Sequence, residues 1–185
     1  VTDGTALVTT EGQDSRLESG ADRYIGAGDR VAVANQSVVR LIFRGGAVSV
    51  LCADTSVTLG ALVSPPGHPI NPNVTLRVNR GRLLANTASS SSAFRPLSLR
   101  VDTQAGPLTT AGAARLTAEP LAALVAAGSV SLNGTQLPAS GPPPACGDGT
   151  ALPVGADASR EPPTVVTDAP SLPSLSPSDS SSSEA

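Results

Sequence analysis

The chain has 185 residues, a formal net charge of −3 and only 2% aromatic residues: two Phe, one Tyr and no Trp. Its core must come from Val, Leu, Ile and Ala, which favours thin β-layers, because small branched side chains pack well on a pleated surface. All twelve basic residues are Arg and they are scattered, which excludes the basic stripe that nucleic-acid binding needs. No apolar run reaches the ~18–20 residues of a membrane-spanning helix.

Taken in chain order, the apolar residues recur with a period of two. Short strands are predicted at Thr5–Thr9 and Arg30–Ala34. The more apolar run Ser37–Phe43 reads as a central strand covered on both faces, and Gly45-Gly46 turns it into Ala47–Leu51. Thr55–Leu59 is a further short strand, and Ser64-Pro65-Pro66-Gly67-His68-Pro69 a loop, since successive prolines cannot supply ladder donors. Val74, Leu76 and Val78 alternate with polar residues before the turn Asn79-Arg80-Gly81 and the strand Arg82–Leu84. Leu97, Leu99 and Val101 likewise face one way, and Ser98, Arg100 and Asp102 the other, as in half-buried antiparallel strands with one wet side. Ala113–Thr117 is a short strand. The Ala/Leu-rich stretch Leu116–Ala127 admits one helical turn after Pro120 as an alternative. Asn133-Gly134 joins Ser129–Leu132 to Thr135–Leu137 in the strongest short hairpin signal.

The expected fold is therefore all-β: a short-strand antiparallel sandwich or flattened β-roll over residues 1–138. Residues 139–185 are rich in Pro and Ser and lack apolar periodicity, so burial cannot offset their ordering entropy. They are expected to form a disordered tail or stalk.

Little in the sequence points to chemistry. His68 is the single His and has no local partner motif, so it reads as a solvated loop residue. No Gly-x-Ser-x-Gly elbow, dinucleotide fingerprint or P-loop is present. Asp14, Glu18, Asp22 and Asp29 lack calcium-loop spacing and read as solvated charge. The chain is therefore expected to have no catalytic residues, no cofactor and no metal. Cys52 and Cys146 read either as two unrelated thiols or as one disulfide tying the root of the tail to the β-domain. An even count outside the cytosol favours the bridge. No Met occurs, even at position 1. The chain thus reads as mature or trimmed, with room for a signal peptide or membrane anchor upstream of Val1.

An ordered set of motifs resembles the FecR domain family over roughly residues 25–137. Gly28-Asp29 precedes the strand Arg30–Ala34, and Ser37–Phe43 leads into the Gly45-Gly46 hairpin. Leu99-Arg100-Val101-Asp102-Thr103 is similar to the family's apolar-x-Val-x-Thr strand, and Gly128-Ser129-Val130-Ser131-Leu132 to its closing Gly-x-Val-x-Val strand. The family's hairpin often carries Asp-Gly where this chain has Gly45-Gly46, and its Arg-Gly-Thr is replaced by Thr110-Ala111-Gly112-Ala113. The resemblance implies a bacterial, extracytoplasmic binding or signalling module, secreted, periplasmic or membrane-anchored, that recognises a protein or cell-envelope partner. Its alternative is a structural envelope or assembly subunit with no sensory role. On the wet strand faces, Arg77, Arg100 and Asp102 are the candidate partner-binding residues.

Overall fold

The computed structural model describes residues 2–63, 73–91, 93–142 and 144–147. The proline loop with His68 and the tail from residue 148 onward lie outside the described residues. Within them the chain is all-β and contains no helix. The strands are β1 (Thr2–Asp3), β2 (Ala6–Thr10), β3 (Gln13–Leu17), β4 (Arg30–Val33), β5 (Val38–Ile42), β6 (Val48–Leu51) and β7 (Ser56–Val63). They continue as β8 (Asn73–Arg80), β9 (Leu83–Asn86), β10 (Ser98–Thr103), β11 (Gly106–Ala118), β12 (Ala123–Leu132) and β13 (Thr135–Gln136).

These strands form one sheet, ordered β1-β5-β6-β9-β11-β10-β8-β7-β4-β2-β3, with β12 beside β11 and β13 beside β12. The long strand β11 makes the sheet fold back on itself. Its first half pairs with β10 (Arg100↔Thr109) and its second half with β9 (Arg115↔Asn86), while β12 runs along its other edge. Two register shifts, between Ala111 and Arg115 and between Arg115 and Leu116, bend the β11–β12 ribbon where these halves meet. Gly128 sits in that bend at φ +84°, where a side chain would run into the Ala113 carbonyl and the Ala114 backbone.

The two halves of the folded sheet enclose one core. Val39, Leu41, Leu51 and Leu83 from one half pack with Val8, Val31, Leu76 and Leu99 from the other. The predicted alternation is borne out: Val74, Leu76, Val78, Leu97, Leu99 and Val101 are buried, while Arg77, Ser98 and Arg100 are exposed. Each fully buried Leu or Val contributes about 1.5–3 kcal/mol. Asn133 (φ +53°) and Gly134 (φ +81°) make the expected hairpin turn, both residues taking the positive φ that a primed turn requires.

Some expectations differ from the structure. Pairing is antiparallel except between β8 and β10, which run parallel. After β8 the chain crosses to the other half of the sheet as β9, and returns through 87–97 in its original direction. Leu116–Ala127 makes no helical turn. It is the end of β11, a short reversal and the start of β12, because both strands find partners along the ribbon. The run Ser37–Phe43 is covered on both faces only at its start: Val38 and Val39 are buried, whereas Ile42 is 63% exposed. Asp29 is buried, not solvated, and accepts the Gly26 N–H at 2.8 Å.

Irregular backbone is satisfied by buried threonines. The Thr87 hydroxyl accepts the Ala114 N–H at 2.8 Å and donates to the Gly112 carbonyl at 2.9 Å, inside the β11 bend. Thr55 does the same for Arg82, accepting its N–H at 2.9 Å and donating to its carbonyl at 3.0 Å. Thr55 and Thr87 are both fully buried, so each hydroxyl offsets a backbone polar group that water cannot reach.

Cys52 and Cys146 form a disulfide, with Cα atoms 5.5 Å apart. They sit in a second cluster with Val38, Val50 and Leu84, on the face of β5, β6 and β9 that points away from the main core. The described residues after β13 lead up to this bridge across the sheet. The Ser140 and Gly141 N–H groups donate to the Val125 carbonyl, and Pro144 is buried beside the bridge. The disulfide is compatible with an oxidising, extracytoplasmic compartment.

Candidate functional site

The two ends of the folded sheet come closest at β1. This strand pairs with β5 at Thr2↔Val39 and Asp3↔Val38. On its other side the Thr2 N–H donates to the Ala21 carbonyl at 3.1 Å, and the Thr2 carbonyl accepts the Gly20 N–H at 2.8 Å. One short strand thus stitches β5 to the segment that follows β3.

Farther along β5, toward Phe43, an apolar cleft of about 540 Å³ opens beside the stitch. Its floor includes Val8, Val31, Leu41 and Val74, which keep only 1–6% of their surface exposed. One lip is Arg40–Arg44 and the other is Asp22–Ile25. The rim carries Tyr24 at 102% exposure, Ile42 at 63% and Leu62 at 42%. These are three of the six large exposed apolar side chains among the described residues, so exposed apolar surface is concentrated here. Such concentration on a soluble surface marks an interaction site more often than isolated apolar residues do.

Among the described residues, both lips carry backbone groups without a hydrogen-bond partner. The Phe43 N–H donates to the Ala47 carbonyl, so in the β5–β6 ladder Val39, Leu41 and Phe43 turn their polar groups toward β6. Ile42, one residue out of phase, turns its N–H and C=O to the cleft side. Across the cleft, the backbone groups of Asp22, Arg23, Tyr24 and Ile25 make no hydrogen bond among the described residues. The base of that lip is fixed. The Gly28 N–H donates to the Leu59 carbonyl, and the Leu59 N–H to the Asp29 carbonyl, each at 2.8 Å. Thr2, also part of the lining, has a buried hydroxyl with no partner. Charge in the lining is unbalanced, with Arg23, Arg40 and Arg44 against Asp22.

The structure brings Arg77, Arg100 and Asp102 together on the outer face of β8 and β10. Asp102 stands opposite Arg77, and Arg100 Nε donates to Asp102 Oδ1 at 2.8 Å. Arg77 and Asp102 also line a shallow hollow of about 380 Å³ with Thr103 and Pro107. The surrounding face is polar and largely self-satisfied: Asn79 bonds Thr58 at 3.0 Å, and Thr109 bonds Ser131 at 2.8 Å.

Among the described residues no group of three or more His, Cys, Asp and Glu side chains could hold a metal ion. The cleft itself has no local sequence signature. Its one visible signal is Tyr24, the only Tyr in the chain, in a stretch without strand alternation. The seam exists only once β5 and the segment after β3 have met in space. No protein-family model and no curated protein matches this chain.

Proposed function

We propose that this chain is a non-enzymatic binding module that acts outside the cytoplasm and recognises a protein partner of the cell envelope. The apolar cleft beside β1 carries this reading: exposed Tyr24, Ile42 and Leu62 surround it, and its lips carry backbone groups that have no partner among the described residues. The disulfide is in keeping with the compartment, and the resemblance to FecR-type domains with a sensing or signalling role.

Photo-crosslinking in the source envelope tests it. A benzoylphenylalanine replacing Tyr24 in the full chain is expected to yield one discrete protein adduct, and the same probe replacing Arg100 none. An adduct only from position 100 would move the partner to the Arg77–Arg100–Asp102 face. Adducts only to other copies of the chain would replace the recognition role with that of a structural subunit. Absence of adducts from both positions would overturn the binding role.

A further inference from the structure

We infer that the outer edge of β3 is a homodimer surface: two copies of this chain pair β3 to β3, antiparallel, about a two-fold axis at Ser15. This goes beyond the binding role proposed above and uses none of the residues that carry it. The outermost strands of the sheet are finished differently. β12 is covered by the chain that follows it: β13 pairs with Ser131 and Leu132, the Leu137 N–H donates to the Val130 carbonyl, and the Val125 carbonyl accepts Ser140 and Gly141. β3 pairs with β2 on one side only. Its five residues keep unbroken register, with no bulge or Pro to spoil the edge.

The register shows which backbone groups that edge offers. The Ala34 N–H donates to the Thr5 carbonyl, so Thr5, Leu7 and Thr9 turn to β4, and Ala6, Val8 and Thr10 turn to β3. Their partners Leu17, Ser15 and Gln13 therefore point back at β2. Asp14 and Arg16 turn their N–H and C=O outward, where they have no partner among the described residues. β1 precedes β2 on the inner side of this hairpin and bonds Gly20 and Ala21 there, so its line does not run along the outer edge.

Charge then selects the partner and the register. Ladder bonds form only where an outward residue opposes an outward residue. With the axis at Asp14, two carboxylates would oppose each other; with it at Arg16, two guanidinium groups would. With the axis at Ser15, each Asp14 stands opposite Arg16 of the second copy, and each such pair exchanges both backbone hydrogen bonds. The side chains suit this arrangement. Both are exposed on the face away from the core, beside Leu7 and Thr9. Thr9 donates to Asp14 Oδ1 at 2.6 Å, leaving Oδ2 without a partner among the described residues. Glu18 takes the Arg16 Nε at 2.7 Å, leaving the terminal nitrogens for a carboxylate. An unrelated strand would have to carry the same alternation of charge, whereas a second copy carries it by construction. The pairing consumes β3 of both copies, so growth stops at the dimer.

Sedimentation velocity of the full oxidised chain over a concentration series tests this. A monomer–dimer equilibrium is expected, without larger species, and amide exchange at Asp14 and Arg16 should slow as the dimer fills. Asp14→Arg and Arg16→Asp each set like charges opposite one another and should weaken the dimer roughly tenfold. Mixing the two variants should restore it as a heterodimer, since every cross-strand pair is then again of opposite sign. The double exchange Asp14→Arg/Arg16→Asp in one chain should do the same. Rescue by mixing cannot come from misfolded variants.

A chain that stays monomeric across the series overturns the proposal. Dimers indifferent to both single variants, or a mixture no tighter than either variant alone, place the contact elsewhere and overturn it as well. Open-ended oligomers would overturn the two-fold geometry. None of these results bears on the adduct expected at Tyr24, so the envelope-partner reading stands or falls separately.

Discussion

The two ends of β5 are built from similar residues and end in opposite environments. At its start Val38 lies under the Cys52–Cys146 bridge with Val50 and Leu84, and Val39 faces the main core, so the strand is sealed on both sides. Its edge there is occupied by β1. At its end Ile42 is 63% exposed, and among the described residues nothing pairs with it on the β1 side. Val38-Val39 and Leu41-Ile42 are about equally apolar, so hydropathy cannot be what separates the ends. A covalent bridge brought in from the far end of the domain covers the first end.

Perturbing each end should therefore have unequal effects. Replacing both cysteines by Ser is expected to have the largest, a loss of about 2–5 kcal/mol, because the bridge closes a separation of 94 residues. Denaturant melts of oxidised wild type and the double variant measure it, and a difference below the error would mean that the bridge does not hold the sealed end. Leu84→Ala, at a fully buried position, should cost about 2–4 kcal/mol by the same assay. Thr87→Val should cost about 1–3 kcal/mol, since it strands the Ala114 N–H and the Gly112 carbonyl in the β11 bend. A neutral result there would imply that the bend relaxes around Val. The smallest effect belongs to the exposed end: Ile42→Thr should stay within about 0.5 kcal/mol, as surface changes do. A loss as large as that of Leu84→Ala would show that Ile42 packs in solution and that the two ends do not differ.

The sequence made local structure legible and left closure hidden. Strands such as Val74–Val78 and Leu97–Asp102 announce themselves because one face is dry and the other wet, and Asn133-Gly134 because only certain residues accept positive φ. β3 escaped because Gln13–Leu17 is an edge strand with little to bury. The length of β11 and β12 escaped because Ala-rich sequence has no period of its own, and pairing alone keeps it extended. The cysteines could be matched by parity. Arg77, Arg100 and Asp102 could be placed on one wet side by alternation, although their function remains a proposal. The cleft depends on which strands end the sheet, and neighbouring residues do not encode that.

The position of the disulfide also divides the chain topologically. The covalent ring from Cys52 to Cys146 contains β7 through β13, and β6 ends one residue before it. In the sheet order β9, β11, β10, β8 and β7 of the ring form the middle, while β1, β5 and β6 flank one side and β4, β2 and β3 the other. Both flanks come from the linear segment ahead of the ring, which wraps the ring from two sides and meets itself at Thr2. The stitch and both lips of the cleft belong to that segment. The two backbone hydrogen bonds at Thr2 thus join the flanks to each other without involving any residue of the ring.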